Sequence, residues 1–304
     1  MASAPLSRLL GTLHIDLGDH RDSVFLAGSG RSGTTWLSGI VNHSNDYRLV
    51  FEPFHPDRVS MCRNFRRKQY LRPSDVREEY TGPARAILSG RLRSSWTDRF
   101  NRKVVARRRL IKDIRANLLL GWMRENFPDL PIVLLLRHPC AVATSRLALG
   151  WGDHLSETMQ QEELVEDFLL PFEAEIKAAR GPFERHLFSW CIENYVPLRQ
   201  FGPGEIQLSF YENLLAHPED EFERLFAFLN QSFDYRVYRA MSRPSHLSRK
   251  GEIPPVDAWH RTVTDLQLQR AIEILGLFGL DSVYGENTMP DPSGAHALMG
   301  GARR

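Results

Sequence analysis

The sequence predicts an α/β domain, a single domain with a central parallel β-sheet flanked by helices. Short apolar runs at 24–28, 47–51, 109–112, 131–136 and 205–210 are continuous, as expected of parallel strands that are buried on both faces. Helical patterns separate these runs, and strands that alternate with helices favour a parallel sheet. A length of 304 residues is enough for one large domain or two small ones. We interpret the continuous alternation as one domain.

The helical patterns follow the strand candidates in chain order. The stretch at 157–179 is the longest and predicts a long helix. Residues 53–105 fit neither period and are rich in Arg, Pro and Ser, so we expect an irregular basic insertion beside the site. Residues 1–22 are interpreted as a lead-in, and 286–304 as a flexible tail. The other helical patterns span 34–44, 116–127, 140–149, 185–201 and 219–230.

The composition is that of a folded globular protein, with 42% apolar residues. No apolar run approaches the ~20 residues that cross a bilayer, and the N-terminus lacks the long apolar region of a secretory signal. We therefore expect a cytoplasmic protein without a transmembrane segment. Cys62, Cys140 and Cys191 are widely spaced and form no CxxC pair, which favours free thiols over a metal or redox site.

The formal net charge of +2 hides an uneven distribution along the chain. Arg and Lys crowd residues 58–115, whereas residues 153–175 hold eight carboxylates and no Lys or Arg. Solvated helix and loop faces are one explanation of both blocks. The basic block is also suited to face an anionic ligand, whether a nucleotide, a polyanion or a nucleic acid.

The stretch GSGRSGTTWL at 28–37 has the pattern of a phosphate-binding loop. A strand precedes its glycines and a helix follows, so backbone N–H groups and the positive end of the helix dipole meet at one point. The hydroxyls of Ser32, Thr34 and Thr35 add donors, and the Arg31 guanidinium can reach a terminal oxyanion. An ATP or GTP loop reads GxxxxGK[ST], and here no lysine follows the last glycine.

A second motif, LLLRHPCAVATSRL at 134–147, begins inside a strand candidate. Arg137 stands at the carboxyl edge of that strand, and Pro139 suits the first turn of a helix. Ser145 lies eight residues after Arg137, about two helical turns, so both side chains can address one phosphate. In an open α/β sheet, ligands bind at this edge. Taken alone, the motif also fits a surface arginine and a helix-lining serine.

Together, the two motifs closely resemble the donor-binding signatures of sulfotransferases that use 3′-phosphoadenosine 5′-phosphosulfate (PAPS). The resemblance covers about residues 23–285 and implies a sulfotransferase domain with a P-loop NTPase-like architecture. It also implies that the first loop holds the 5′-phosphosulfate, whereas Arg137 and Ser145 hold the 3′-phosphate. LVFEPFHP at 49–56 and RLIKDIRANLLLGWM at 109–123 look like the carbohydrate and bacterial branch of the family.

Two later segments extend this resemblance. LSFYENLLAHPEDEFERLFAFLN at 208–230 is similar to the tyrosine-containing strand and helix of the family, and SRKGEI at 248–253 resembles the loop that closes over the 3′-phosphate. Trp36 is assigned either to the adenine or to the core. The donor-binding residues that the resemblance implies are Gly30, Arg31, Ser32, Gly33, Thr34, Thr35, Trp36, Arg137, Ser145, Tyr211, Arg249, Lys250 and Gly251.

The missing P-loop lysine agrees with sulfuryl transfer. A terminal phosphoryl group carries more negative charge than a sulfuryl group, and its transfer recruits Mg²⁺ and a lysine. A sulfuryl group carries one negative charge, so we expect PAPS as co-substrate and no metal. Most small-molecule members of the family have Lys where this chain has Arg31, whereas arginine is common in the carbohydrate and protein-tyrosine branches. A glycan, a lipid-linked sugar, a tyrosine or a small alcohol can therefore be the acceptor, and a glycan or another aliphatic hydroxyl is favoured.

Glu52 is the candidate general base, because it follows the second strand candidate at the same edge as the loop and because the family has a similarly placed glutamate. His55 and Asp113 are the alternatives. Lys112, at the end of another strand candidate, is expected to stabilise charge on the transferring group together with Arg31. The predicted catalytic residues are thus Glu52, Arg31 and Lys112.

Two other functions compete with PAPS-dependent transfer. A degenerate P-loop phosphotransferase predicts Mg²⁺-dependent binding of ATP. A non-catalytic protein would use the basic region 58–115 to bind a polyanion such as a sulfated glycan or a nucleic acid. We favour the sulfotransferase, with no nucleic-acid partner. Because no membrane anchor is predicted, a bacterial enzyme is favoured over a Golgi-resident one.

Overall fold

The computed structural model describes residues 15–243 and 253–300. In these ranges, five parallel strands form the main sheet, and each lies on one of the five apolar runs, so the predicted α/β fold is confirmed. The strands are β1 (Ile15–Asp16), β2 (Ser23–Gly28), β3 (Tyr47–Phe51), β4 (Val105–Ala106), β5 (Arg108–Asp113), β6 (Ile132–Leu136) and β7 (Gln207–Phe210). The order in the main sheet is β3-β5-β2-β6-β7, while β1 and β4 form a separate pair.

The carboxyl ends of the five main strands lie at one edge of the sheet. Lys112 of β5 pairs in register with Leu26 of β2 and Phe51 of β3, and Leu136 pairs with Phe210. From the central β2, the chain passes first to β3 on one side, and later to β6 and β7 on the other. Such a reversal of strand order opens a crevice outside the carboxyl ends, where ligands bind in open α/β sheets.

Apolar side chains pack on both faces of the sheet. Phe25 and Ala27 belong to the larger core, whereas Val24 and Leu26 belong to the smaller core on the opposite face. The two sets alternate because successive strand residues point to opposite faces. This double burial explains why the strand sequences are continuous apolar runs.

Helices cover both faces, and in the described ranges none combines the length and the apolar character that a membrane span requires. The helix α1 directly follows the glycine loop and packs on the smaller core. The helices are α1 (Thr34–Val41), α2 (Glu78–Leu88), α3 (Leu120–Asn126), α4 (Pro139–Ala148), α5 (Leu155–Met159), α6 (Glu162–Leu164), α7 (Glu173–Lys177), α8 (Gly181–Gln200), α9 (Tyr211–Ala216), α10 (Pro218–Phe228), α11 (Arg236–Met241), α12 (Asp265–Leu277) and α13 (Pro292–Leu298).

The long helix predicted at 157–179 is wrong as one continuous element. The chain forms α5, α6, a π-helical turn at Val165–Leu169 and a 3₁₀ turn at Leu170–Phe172 before α7 begins. Pro171 explains the irregular turns around it, because it has no N–H to donate and its ring clashes with the preceding turn. The gap between α5 and α6, at residues 160–161, lies before this proline.

The C-terminal segment also differs from the flexible tail that was predicted. Residues Pro292–Leu298 form α13, which packs against α8 and buries Ala295. Asp291 caps this helix by accepting from the Ser293 N–H, and Pro292 occupies the first turn. The division of the chain at 1–22, 23–285 and 286–304 stays a prediction.

The acidic and basic blocks of the sequence partly neutralise each other. The Arg72 guanidinium donates to Asp167 and to Glu166 with a shortest distance of 2.8 Å to each. The Tyr70 hydroxyl donates to the same Asp167 over 2.7 Å. This part of the charge asymmetry is therefore a contact between the insertion and the helices after residue 153, whereas other members of the basic block line a cavity.

Candidate active site

A cavity of about 550 Å³ opens at the carboxyl edge of the sheet. Its walls come from the segments that follow the strands: Glu52 follows β3, Arg137 follows β6 and Tyr211 follows β7. Parallel topology therefore brings residues together that are more than 150 positions apart in the sequence. The predicted site residues that line the cavity are Arg31, Gly33, Thr34, Thr35, Trp36, Glu52, Lys112, Arg137, Ser145 and Tyr211.

The glycine loop presents the N-terminus of α1 to this cavity. Gly33 is the N-cap residue, and no side chain caps the helix. Its φ of 97° favours glycine, and a Cβ at this position would lie 2.6 Å from the Tyr211 ring. The first N–H groups of α1 have no partner within the helix, so the loop is a site where an oxyanion binds favourably.

Arg31 connects the two sequence motifs. Its Nε donates to the Ser145 hydroxyl over 2.9 Å, and its carbonyl accepts from Arg137 Nη1 over 3.1 Å. The Arg137 guanidinium lies 4.3 Å from the centre of the Tyr211 ring, a cation–π contact. Arg31 therefore links Ser145 to Arg137, and Arg137 in turn contacts Tyr211.

Trp36 closes the same wall from the first helix. Its indole N–H donates to the Met241 carbonyl over 3.0 Å, and its ring meets the edge of Tyr211 at 5.4 Å between centroids. The side chain is almost buried but lines the cavity. The two alternatives for Trp36, core packing and contact with a ligand, are thus compatible.

Glu52 is held between two cations on the opposite wall. Its Oε1 accepts from Lys112 Nζ over 2.7 Å, and its Oε2 accepts from Arg115 Nη1 over 2.6 Å. Burial alone would raise the pKa of Glu52, which is 5% exposed, but the two cations outweigh it and hold the pKa below its usual value. The carboxylate is therefore ionised and faces the cavity.

The backbone of Glu52 is in the left-handed region, with φ of 43°. This conformation is uncommon for a residue with a side chain. Its N–H donates to the Lys112 carbonyl over 2.7 Å, and its own carbonyl accepts from the Trp96 indole over 3.2 Å. A bond from β5 and a bond from the insertion thus fix the direction of the carboxylate.

The alternative bases lie outside the cavity wall. His55 packs edge-on against Trp96, and burial lowers its pKa to about 4. Asp113 accepts from the backbone N–H groups of Phe54 and Arg115 over 2.9 and 2.7 Å, and burial raises its pKa to about 6. Of the three candidates, Glu52 is the one that faces the cavity in the described ranges.

A buried charged cluster supports the loop from behind. Arg146 Nε donates to the Gly30 carbonyl over 3.1 Å, and its Nη2 donates to Glu193 Oε2 over 2.7 Å. Lys68, from the insertion, pairs with the other oxygen of Glu193. The neighbouring Asn194 donates to the Ser29 hydroxyl over 3.1 Å. Helix α8 and the insertion therefore both hold the loop in place.

Several residues at the site were not predicted from the sequence. Trp96 and Arg99 come from the insertion, and Trp151 follows α4. The acidic stretch 153–175 contributes no described residue to the cavity wall. Gly30 and Ser32 support the loop without lining the cavity, and Arg249, Lys250 and Gly251 lie outside the described residues. A reaction without metal stays a prediction.

The fold and the site define a class of protein: a P-loop-like α/β domain in which a glycine loop at a helix N-terminus, an arginine–serine motif and a carboxylate–lysine pair line one cavity. The model of the Sulfotransferase family matches residues 23–235. The chain belongs to the sulfotransferase family, and this membership supports sulfotransferase activity. A search of curated proteins found no match.

Solved structures similar to this chain are sulfotransferases of low sequence identity. One is the sulfotransferase domain from the curacin biosynthetic pathway, with 16% identity and a TM-score of 0.47, covering 85% of this chain and 97% of that domain. The mouse sulfotransferase SULT7A1 complexed with PAP has 15% identity, a TM-score of 0.44 and coverage of 96% and 92%. STF9 from Mycobacterium avium has 12% identity, a TM-score of 0.49 and coverage of 94% and 81%.

Proposed function

We propose that this protein transfers the sulfuryl group of PAPS to an acceptor hydroxyl and releases adenosine 3′,5′-bisphosphate (PAP). One observation carries the proposal beyond family membership. The uncapped N-terminus of α1 and the linked side chains of Arg31, Ser145 and Arg137 line the same cavity as the Glu52–Lys112 pair. Anion-binding groups and a candidate base thus face one space.

The donor side of the cavity fits a ligand with several oxyanions. Arg137 lines the cavity, and its Nε is buried and has no hydrogen-bond partner among the described residues. Buried donors of this kind are costly unless a ligand satisfies them. We propose that the loop amides and Arg31 hold the 5′-phosphosulfate, and that Arg137 and Ser145 hold the 3′-phosphate. Arg249, Lys250 and Gly251 stay predicted contacts to that phosphate.

In the proposed reaction, Glu52 and Lys112 have different roles. The acceptor oxygen forms a bond to sulfur, the bond from sulfur to the 5′-phosphate oxygen breaks, and Glu52 takes the hydroxyl proton. Lys112 and Arg31 stabilise the charge that develops on the transferring group and on the leaving oxygen.

The pairing of Glu52 explains how its basicity would depend on the donor. In the free protein, Lys112 and Arg115 hold the pKa of Glu52 low, so the carboxylate is a weak base. A sulfate or phosphate oxygen beside Lys112 competes with Glu52 for the same ammonium group. Weakening that ion pair raises the pKa of the carboxylate and makes it a better base. We infer that Glu52 becomes active once the donor is bound.

Trp96, Arg99 and Trp151 line the cavity, and we propose that the acceptor binds beside them. Members of this family act on hydroxyl-bearing acceptors, and Trp151 is 41% exposed, so the face of its indole is open to the apolar face of a sugar ring. We therefore propose a glycan or another aliphatic alcohol as the acceptor, in a bacterial cytoplasmic setting.

Calorimetric titration with PAP, ADP and ATP, each with and without Mg²⁺, tests the donor. PAP should bind without metal and at least about tenfold tighter than ADP, because each charge-assisted bond to the 3′-phosphate contributes about 1.5–3 kcal/mol. Tighter binding of ATP with Mg²⁺ would assign the loop to a phosphotransferase. Binding of no nucleotide would contradict the proposal and favour the polyanion-binding alternative.

A further inference from the structure

A second, basic groove joins the active-site cavity. It has a volume of about 430 Å³ and shares Thr35, Trp36 and Phe51 with the larger cavity. Four arginines line it: Arg102 from the insertion, and Arg236, Arg239 and Arg243 from α11 and the residues after it. We refer to these four residues and the space between them as the basic groove.

The side chains that line the groove carry an excess of positive charge. No Asp or Glu is among the described residues that line it. Arg236 is neutralised by Asp234, to which its Nη2 donates over 2.6 Å. Among the described residues, Arg102, Arg239 and Arg243 have no carboxylate at ion-pair distance, and all three are exposed. Their guanidinium groups are thus available to an anion that enters the groove.

The charge of the donor is already matched in the main cavity. Five cationic side chains and one carboxylate line that cavity in the described ranges, a surplus of four positive charges. PAPS carries roughly four negative charges at neutral pH, about two of them on its phosphate monoester. The arginines of the basic groove are therefore in excess of what the donor requires, and they lie on a path that continues from the reaction centre.

We propose that the basic groove binds a second, anionic part of the acceptor, which makes acidic saccharides and similarly charged alcohols the preferred acceptor class. This inference rests on the proposed function. Phe51 and Phe100 supply apolar surface beside the arginines, a combination suited to a sugar ring that carries a carboxylate or a sulfate. The reacting hydroxyl then lies near Glu52, while the anionic unit lies along α1.

The test is calorimetric titration of the PAP-saturated protein in about 0.15 M salt, where charges farther apart than ~8 Å are screened. The probes are tetragalacturonic acid and neutral maltotetraose. The acidic probe should bind at least about tenfold tighter than the neutral one. In the double variant Arg102→Gln/Arg239→Gln, this preference should fall about tenfold, because two charge-assisted contacts are lost, while PAP affinity stays within about twofold.

The matched control is Arg91→Gln/Arg124→Gln, which removes two exposed arginines that line neither cavity. This control should keep the full preference for the acidic probe. Equal affinity for the two probes, or an equal loss in the control, overturns the inference. A parallel loss of PAP affinity in the groove variant also overturns it, since the groove would then serve the donor.

Titrating PAP first separates the two proposals. If PAP does not bind, the proposed function fails, and titration of tetragalacturonic acid into the protein without PAP still measures the groove. If PAP binds but the acidic probe shows no preference, the proposed function stands and the acceptor inference fails.

Discussion

Charged side chains lie at both ends of strands β3 and β5, but the side chains at the two ends differ in their surroundings. At the amino ends, Arg48 and Arg109 are completely buried and share the carboxylate of Asp16. At the carboxyl ends, Glu52 and Lys112 are also almost buried and form an ion pair, but both line the cavity.

The partners of the two clusters explain the difference. Arg48 also donates to the Gly90 carbonyl and pairs with Asp98, and Arg109 donates to Ser23 and to the Leu88 carbonyl. These bonds tie the insertion to the sheet. At the other end, Lys112 and Arg115 share a single carboxylate, which leaves positive charge beside a space that a ligand can enter. Burial of charge alone therefore does not identify a functional site, whereas buried charge at a cavity wall does.

The largest expected effect is in the carboxyl-end cluster. Glu52→Gln should lower kcat by roughly 10²- to 10⁴-fold, the usual range for loss of a general base, while PAP affinity changes little. Steady-state kinetics and PAP titration measure both. Asp57→Asn, which changes an exposed carboxylate outside the cavity wall, should turn over normally. Normal turnover of Glu52→Gln would remove this residue from the mechanism.

Substitutions in the amino-end cluster should lower the stability of the protein. Arg109→Met leaves Asp16 with one cationic partner fewer and should lower the free energy of unfolding by about 3–5 kcal/mol. Its neighbour Arg108 is half-buried and lies 4.5 Å from the Tyr47 ring centre, so Arg108→Met should cost about 1 kcal/mol or less. Urea denaturation of both variants provides the comparison. Equal losses would show that the buried network contributes no more than a surface contact.

A smaller effect is expected on nucleotide binding, at a residue that belongs to neither cluster. Arg137→Met removes the cation predicted to hold the 3′-phosphate and should weaken PAP binding by about 1.5–3 kcal/mol, with little change for ADP. Calorimetric titration of PAP and ADP into the same variant tests this difference. If both nucleotides lose equal affinity, Arg137 acts on the shape of the pocket and not on the 3′-phosphate.

The smallest effect concerns pH. Because Lys112 and Arg115 lower the pKa of Glu52 in the free protein, the base form persists below the usual glutamate pKa of about 4.3. The kcat/KM for PAPS, which reports the free enzyme, should therefore stay level down to that range. Arg115→Gln removes one of the two cations that lower the pKa of Glu52, so the acid limb of kcat/KM should move to higher pH. An unchanged limb would mean that another group titrates in the profile.

The sequence predicts much of the donor side because its residues follow directly from strand ends. Once β2 and β6 are placed in a parallel sheet, the loop and Arg137 must share one edge. The motif also contains the glycine that the left-handed backbone at the N-cap of α1 requires.

The rest depends on contacts between distant segments. Trp96 lies in a stretch without periodicity, and nothing in its sequence context indicates that its indole bonds to the Glu52 carbonyl. Arg48 and Arg109 lie in strands. From sequence alone, a charged side chain in a strand is expected to face solvent, because the distant segments that cover it are not known. Two predictions were wrong although the local sequence carries the signal. Pro171 argues against one regular helix over 157–179, and Asp291 before Pro292 indicates a helix start within the tail that was predicted to be flexible.

The contact from Lys68 to Glu193 has a consequence for engineering. Lys68 belongs to the same insertion that supplies Trp96 and Arg99 to the cavity wall, and through Glu193 and Arg146 it is linked to the Gly30 carbonyl of the glycine loop. Transplanting the insertion from a relative would therefore also replace the counter-ion of Glu193, which supports the loop through Arg146. A functional chimera has to exchange residue 68 and residue 193 as a pair.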